Sequence, residues 1–167
     1  MIKNNNDGII TFYYKRDELF NDVGQISAYM TKNLASESGS ALDDYAITDD
    51  EKDIFNVCVK QTLPNVYEVL MKMSTGVKDA FDDDATENGV ACVKLSINDN
   101  EAYNENILSL VNATIEDCLR YGILAEFYSI NSNATLQQIA QGKFSSNLLL
   151  LNQRLFQLKR KKISSQL

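Results

Sequence analysis

Histidine and tryptophan are absent from this 167-residue chain, and proline occurs once, at Pro64. Without histidine there is no Ser/His or Cys/His nucleophile pair, no imidazole general base and none of the Glu-x-x-His metal motifs of helical bundles. Lysine or carboxylate catalysis is left, yet no two carboxylates stand at a spacing that marks an acid/base pair. The expectation is therefore no catalytic residues, no cofactor and no metal. Cys58, Cys92 and Cys118 are odd in number, far apart and flanked by apolar residues, which suits reduced core thiols and gives no CxxC pair. None of the seven glycines falls in a GxGxxG or GxxxxGK pattern. No apolar run approaches the roughly 20 residues that span a bilayer, so no membrane contact is expected. Met1 to Gly8 carries three asparagines and lacks the basic-then-apolar pattern of a signal peptide. The protein is thus expected to stay in the cytosolic compartment where it is made, and the sequons at Asn112 and Asn133 read as chance.

What the chain does have is helical striping. Ile107, Leu110, Val111, Ile115, Cys118, Leu119, Ile123 and Phe127 recur at three- and four-residue steps along 104–130. Leu136, Ile139, Ala140, Phe144, Leu148, Leu151, Leu155 and Leu158 repeat the device along 136–162. The link Asn131-Ser132-Asn133 is short enough to force the two helices antiparallel. Gly122 lies on the apolar face of the first, which points to close helix packing there. Upstream, Leu19, Phe20, Val23, Ile26, Met30 and Leu34 stripe another helix. Thr48 and Glu51 fit a capping box at the start of a second one, whose apolar residues run from Ile54 to Met73. Pro64 inside that run predicts a kink near Leu63 or two helices meeting there.

Two segments read as extended. Gly8 to Tyr14 is rich in β-branched and aromatic residues and fits a short strand or an arm. Val90 to Ile97 alternates, with Val93, Leu95 and Ile97 on one face, and needs a partner from the Ile9–Tyr14 segment or from another subunit. Between them Asp82 to Gly89 reads as a polar loop. It is no EF-hand, because counting from Asp82 the sixth and twelfth places hold Glu87 and Val93 rather than glycine and glutamate. The fold expected is mainly α: a four- to five-helix bundle with a small β element. Its organisation is an arm or strand over 1–14, one helical domain over 15–162 with a strand at 90–97, and a tail over 163–167.

The net charge of −7 is unevenly spread. Arg154, Lys159, Arg160, Lys161 and Lys162 are five of the sixteen basic residues and sit in a stretch with no acid, leaving eleven basic against twenty-three acidic side chains elsewhere. A basic knot at a helix C-terminus favours the helix dipole, and it also suits docking to an acidic partner surface or to DNA.

The order of elements resembles the head–tail connector, or neck adaptor, proteins of tailed bacteriophages. The likeness is carried by the acidic helix start Thr48 to Asp53 running into Ile54–Met73, the strand Val90–Ile97, the helix through Leu119–Tyr128 and the closing helix ending Leu155-Phe156-Gln157-Leu158-Lys159-Arg160-Lys161-Lys162. Leu124-Ala125-Glu126-Phe127-Tyr128 with that closing helix looks most like small virion proteins of crAss-like phages. Pro64 and the acidic loop at Asp82 depart from the pattern. The resemblance implies a non-enzymatic structural subunit of the virion, present in the host cytoplasm during assembly, that forms a homo-oligomeric ring, commonly of twelve, between portal and tail. It further implies contacts with portal, tail or other neck proteins, and with DNA in the channel. On that reading Ile9, Ile10, Phe12, Tyr13, Tyr14, Val93, Leu95 and Ile97 serve contacts between subunits, and the basic set around Arg154 and Lys159–Lys162 serves docking. The alternative is a cytosolic helical adaptor that regulates a partner protein, with a carboxylate-dependent enzyme as a third class.

Overall fold

The helix Glu105–Ile130, α3, carries the fold, because from Gly122 to Tyr128 every residue but Glu126 is buried. A helix apolar nearly all round must be covered on all sides. In the computed structural model, which describes residues 2–4, 9–38, 46–72, 81–98 and 105–159, α3 spans Glu105–Ile130 and is flanked by α1 (Arg16–Ser38), α2 (Lys52–Met71) and α4 (Ala134–Lys159). Four strands, β1 (Ile2–Asn4), β2 (Ile9–Lys15), β3 (Phe81–Glu87) and β4 (Val90–Asn98), form an antiparallel sheet in the order β1-β2-β4-β3. The chain is mainly helical with a small β element, as its sequence pattern implies.

The α3–α4 hairpin closes as the three-residue link requires. Ser132 takes a left-handed backbone (φ 55°), the Asn133 amide donates to the Tyr128 carbonyl at 2.9 Å and the Ser132 amide to Ser129 at 3.2 Å. These are the paired bonds of a Schellman ending, here with serine where glycine is usual. Asn133 then caps the next helix, its side-chain oxygen accepting from the Leu136 amide at 3.0 Å. Of the two predicted stripes most members are buried, but Leu110 and Ile139 are each 44% exposed. They sit at the margins of their stripes, where the turning helix has already left the seam.

At Gly122 the neighbours come close. A Cβ there would lie 2.4 Å from Thr62 Cγ2 on α2 and 3.0 Å from Phe144 Cε2 on α4, so only glycine lets three helices meet at this point. Helix α2 runs unbroken through Pro64, which sets aside the expectation of two helices meeting there. A 3-10 turn, Asp49–Glu51, starts it, and the Thr48 amide donates to the Glu51 carboxylate at 2.9 Å. The segment before that turn is strapped to α1: the Ile47 amide donates to Ser27 Oγ at 2.9 Å, and Ile47 is buried.

The segment read as the acidic loop from Asp82 is instead strand β3, and the reading as a loop is corrected by its turn. Asn88 (φ 53°) and Gly89 (φ 78°) are both left-handed, as a two-residue type I′ hairpin demands, and Glu87 pairs with Val90 across it. One extra residue bulges β3 between Asp82 and Ala85, where the Asp84 amide donates to Asp82 Oδ1 at 2.9 Å. Charge and a bulge suit an edge strand, which must not recruit another chain by its free backbone.

Thr62 Oγ1 and Tyr128 OH are buried with no hydrogen-bonding partner among the described residues. Burying a hydroxyl in that way costs about 1–3 kcal/mol. Thr62→Val, which keeps the shape, is expected to be neutral or up to about 1 kcal/mol stabilising, whereas Gly122→Leu is expected to lose about 1–3 kcal/mol by overpacking. Urea midpoints at unchanged slope measure both, and a destabilised Thr62→Val would show that its hydroxyl is satisfied.

Candidate functional site

Where β2 turns into α1, the chain leaves a cleft of about 330 Å³ against α3 and the β3–β4 turn. One wall is Tyr13, Tyr14 and Lys15 at the end of β2, with Glu18 and Leu19 from the first turn of α1. The hairpin supplies Glu87, Asn88, Val90 and Cys92, and α3 supplies Asn112 and Glu116. The lining is thus two aromatic rings and a few aliphatic groups rimmed by three glutamates and one lysine, a mixture suited to recognition.

The walls are tied by Tyr14. Its hydroxyl donates to Asn112, with the side-chain oxygen at 2.9 Å and the backbone oxygen at 3.2 Å, so the end of the sheet is fixed to α3 across 98 positions of sequence. Burial raises the Tyr14 phenol well above its ordinary range, and the negative charge of Glu116 adds to the effect. Both Asn112 and Asn133, the two sequon asparagines, are therefore occupied in the fold, one receiving Tyr14 and one capping α4. Two of the rim carboxylates hold cations. Glu18 pairs with Lys15 at 2.5 Å, and that contact raises the lysine pKa. Glu116 pairs with Arg120 at 2.7 Å, which also reaches Asp22 at 2.6 Å and Asp117 at 3.2 Å. Burial works against that guanidinium, yet its hydrogen bonds and charge contacts with Asp22 and Glu116 outweigh it and leave the pKa raised. Cys92 donates to the Val90 carbonyl at 3.3 Å. These groups hold one another in place, and none of the described pairs joins a nucleophile to a base. Among the described residues no three His, Cys, Asp or Glu side chains gather as a metal site. Likewise, no helix there is long and apolar enough to cross a membrane.

The strand that lacked a partner in the sequence finds one in its own chain. Ile10, Phe12 and Tyr14 face Ile97, Leu95 and Val93 across the β2–β4 pair, and all six are buried in the core. Ile9 and Tyr13 are half-buried. The side chains expected at contacts between subunits are thus mostly spent inside one subunit, and among them Tyr13 and Tyr14 line the cleft. Arg154 is half-buried and donates to the Leu110 carbonyl at 2.8 Å and to the Thr114 hydroxyl, which anchors α4 on α3. Lys159 closes α4, while Arg160, Lys161 and Lys162, together with 163–167, lie outside the described residues.

Sequence reasoning missed the cleft because its residues come from five separate elements, β2, α1, β3, β4 and α3. Asn88-Gly89 between two extended runs was the one local signal for its hairpin wall.

Cys58 and Cys118 are buried and their pKa values are pushed up to about 12, chiefly by desolvation. An exposed thiol ionises at about 8.5, so folding favours the protonated form. The stability from this source is complete below the unfolded pKa and is lost as pH climbs towards about 12. The melting temperature is accordingly expected to fall steadily on raising pH from about 9 to 11, and both thiols should react with iodoacetamide only as fast as the chain opens. A flat alkaline profile with rapid labelling would place these thiols in water.

Comparison of the chain with protein-family models, with curated proteins and with solved structures finds no match.

Proposed function

We propose that this chain is a structural subunit of the head–tail connector of a tailed bacteriophage, forming a homo-oligomeric neck ring between portal and tail and catalysing nothing itself. The observation that carries the reading is α4. Over its 26 residues there is no aspartate or glutamate, although the whole chain holds 23 acids, and its outer side leaves Leu149 67% and Phe156 58% exposed. Exposed helix faces ordinarily carry charge, and apolar ones depleted of charge mark assembly surfaces. The helix then runs into Lys159-Arg160-Lys161-Lys162. Further support comes from the resemblance in element order and from polar cleft groups that satisfy one another instead of being poised for reaction. On this reading the protein works in the virion and passes through the host cytoplasm during assembly, with portal, tail or other neck proteins as neighbours.

The basic knot serves docking on this reading, and little folding energy rests on it. Positive residues at a helix end are worth about 0.3–1 kcal/mol. Lys161→Glu with Lys162→Glu is therefore expected to leave the melting temperature nearly unchanged while blocking assembly of tailed particles. Binding of the wild type to its ring neighbours should weaken as salt rises. Normal tailed particles from the double mutant, seen by electron microscopy, would count against a neck role for this end of the molecule and favour a helical adaptor.

A further inference from the structure

We infer that Phe156 of one copy seats in the β2–α1 cleft of the next, so that the ring closes by a head-to-tail contact between α4 and the sheet corner. The inference rests on the neck-ring reading and names its contact.

Three observations carry it. The first is the plug. Phe156 lies near the end of α4 and is 58% exposed, with Leu149, one heptad earlier, and Leu150 beside it on the outer side. A large side chain that can be fully desolvated in a partner's pocket is the form that interface hot spots take. The second is the socket. The cleft offers aromatic and aliphatic walls from Tyr13, Leu19 and the 40%-exposed Val90, and Glu18, Glu87 and Glu116 stand at its rim. More acid lies close by: Asp84 on the edge strand sits 3.4 Å from Arg16, and Asp17 sits 3.4 Å from Lys52, with both carboxylates more than three-quarters exposed. Although Lys15, Arg16, Lys52 and Arg120 pair with acids here, Asp17, Glu18, Asp22, Asp84, Glu87, Glu116 and Asp117 outnumber them, and this acidic excess around an apolar floor complements an aromatic residue followed in sequence by Lys159-Arg160-Lys161-Lys162.

The third observation is placement. Tyr14 meets α3 at Asn112, whereas Arg154 of α4 meets it at Leu110 and Thr114. A helix turns about 100° per residue, so two positions either way carry the backbone to the opposite side. Tyr14 of the socket and Arg154 of the plug's helix, two residues before Phe156, therefore lie on opposite flanks of α3 at one height along it. A copy cannot fill its own socket, and neighbours placed side by side at that height bring plug to socket without a step. Such a heterologous contact repeats from copy to copy, and it gives a ring when the rotation closes. A second copy is the occupant that fits, because both halves of the contact are present in one chain.

The test uses two full-length variants that each spoil one half. Phe156→Asp removes the plug and keeps the socket, and Val90→Arg fills the socket with positive charge and keeps the plug. Both sites are exposed, so each variant should melt within a few degrees of the wild type. Sedimentation velocity at low salt should show the wild type forming species beyond the dimer, and each variant alone associating more than tenfold more weakly, as loss of a hot spot does. Mixed together, the two should give a one-to-one dimer and nothing larger, since only one plug and one socket remain intact. Phe156→Leu, which keeps an apolar anchor, should retain association. Wild-type protein that stays monomeric at millimolar concentration, unchanged association of Phe156→Asp, or no dimer from the mixture would each overturn the contact. If Phe156→Asp still builds normal tailed particles, this contact is wrong and the neck role stands. If plug and socket pair as described but the copies do not assemble on a portal, the contact stands and the neck role falls.

Discussion

The approach of three helices at Gly122 is the constraint on which the rest of the molecule depends. Thr62 from α2 and Phe144 from α4 press on the same backbone position of α3, at distances that leave no room for a methyl group. Close approach lets α3 be covered from both sides, and coverage is what its apolar residues need: Ile123, Leu124, Phe127 and Tyr128 are all inaccessible. The arrangement has a cost in polar groups. Thr62 is drawn into the core with its hydroxyl, and Tyr128 buries its own, because shape governs at that depth. Dispersion and burial from several large side chains outweigh one or two such groups, each worth only about 1–3 kcal/mol.

The sheet is attached to this helical frame by few polar contacts and much apolar area. One face of β2 and β4 supplies Ile10, Phe12, Tyr14, Val93, Leu95 and Ile97 to the core, and Thr11 meets Ser96 at 3.1 Å on the other. Register follows from that division, since a slip of one residue would turn Phe12 and Leu95 away from the helices. The Tyr14–Asn112 bond then fixes the height of the sheet along α3. Cleft and sheet are thus products of the same register. Losing it would remove the pocket without touching any residue in it.

Much of the frame was legible in the sequence for a definite reason: 3.6-residue spacing reports directly which side of a helix is covered. Val111, Ile115, Leu119 and Ile123 obey it, and so do Leu136, Ala140, Phe144, Leu151 and Leu155. The three-residue link likewise turns the chain into the antiparallel pair its length implies, while its caps became visible only in the structure. Strand β3 did not, because Asp82, Asp83 and Asp84 have low strand propensity and the strand gets its stability from pairing with β4, a non-local effect. The partner of β4 was undetermined for a related reason. A strand's alternation tells which face is apolar but not which edge it meets, so the choice between the Ile9–Tyr14 segment and another subunit was open until the register of Phe12 with Leu95 settled it. Six of the eight side chains assigned to contacts between subunits are core, Ile9 and Tyr13 being half-buried. Exposed apolar positions such as Leu149 and Phe156 escaped notice because the neighbouring stripe of α4 accounts for its helix without them.

Charge separates long range from short. At a net −7, copies of this chain repel one another at distances where only the total charge is felt. Within the Debye length, about 8–10 Å near physiological salt, the local pattern takes over. There the acid-free helix differs in sign from the corner around β2 and α1, where Asp17, Glu18, Asp22, Asp84, Glu87, Glu116 and Asp117 outnumber Lys15, Arg16, Lys52 and Arg120. The helix dipole accounts for a basic residue such as Lys159, the last of α4, beside its negative pole. It does not account for the absence of acids at its beginning, where they would stabilise the helix by the same argument; the first turn of α4 has none. A charge pattern that gives up this stabilisation answers to some other requirement, and a surface that must come close to an acidic neighbour is one that forbids acids along its whole length.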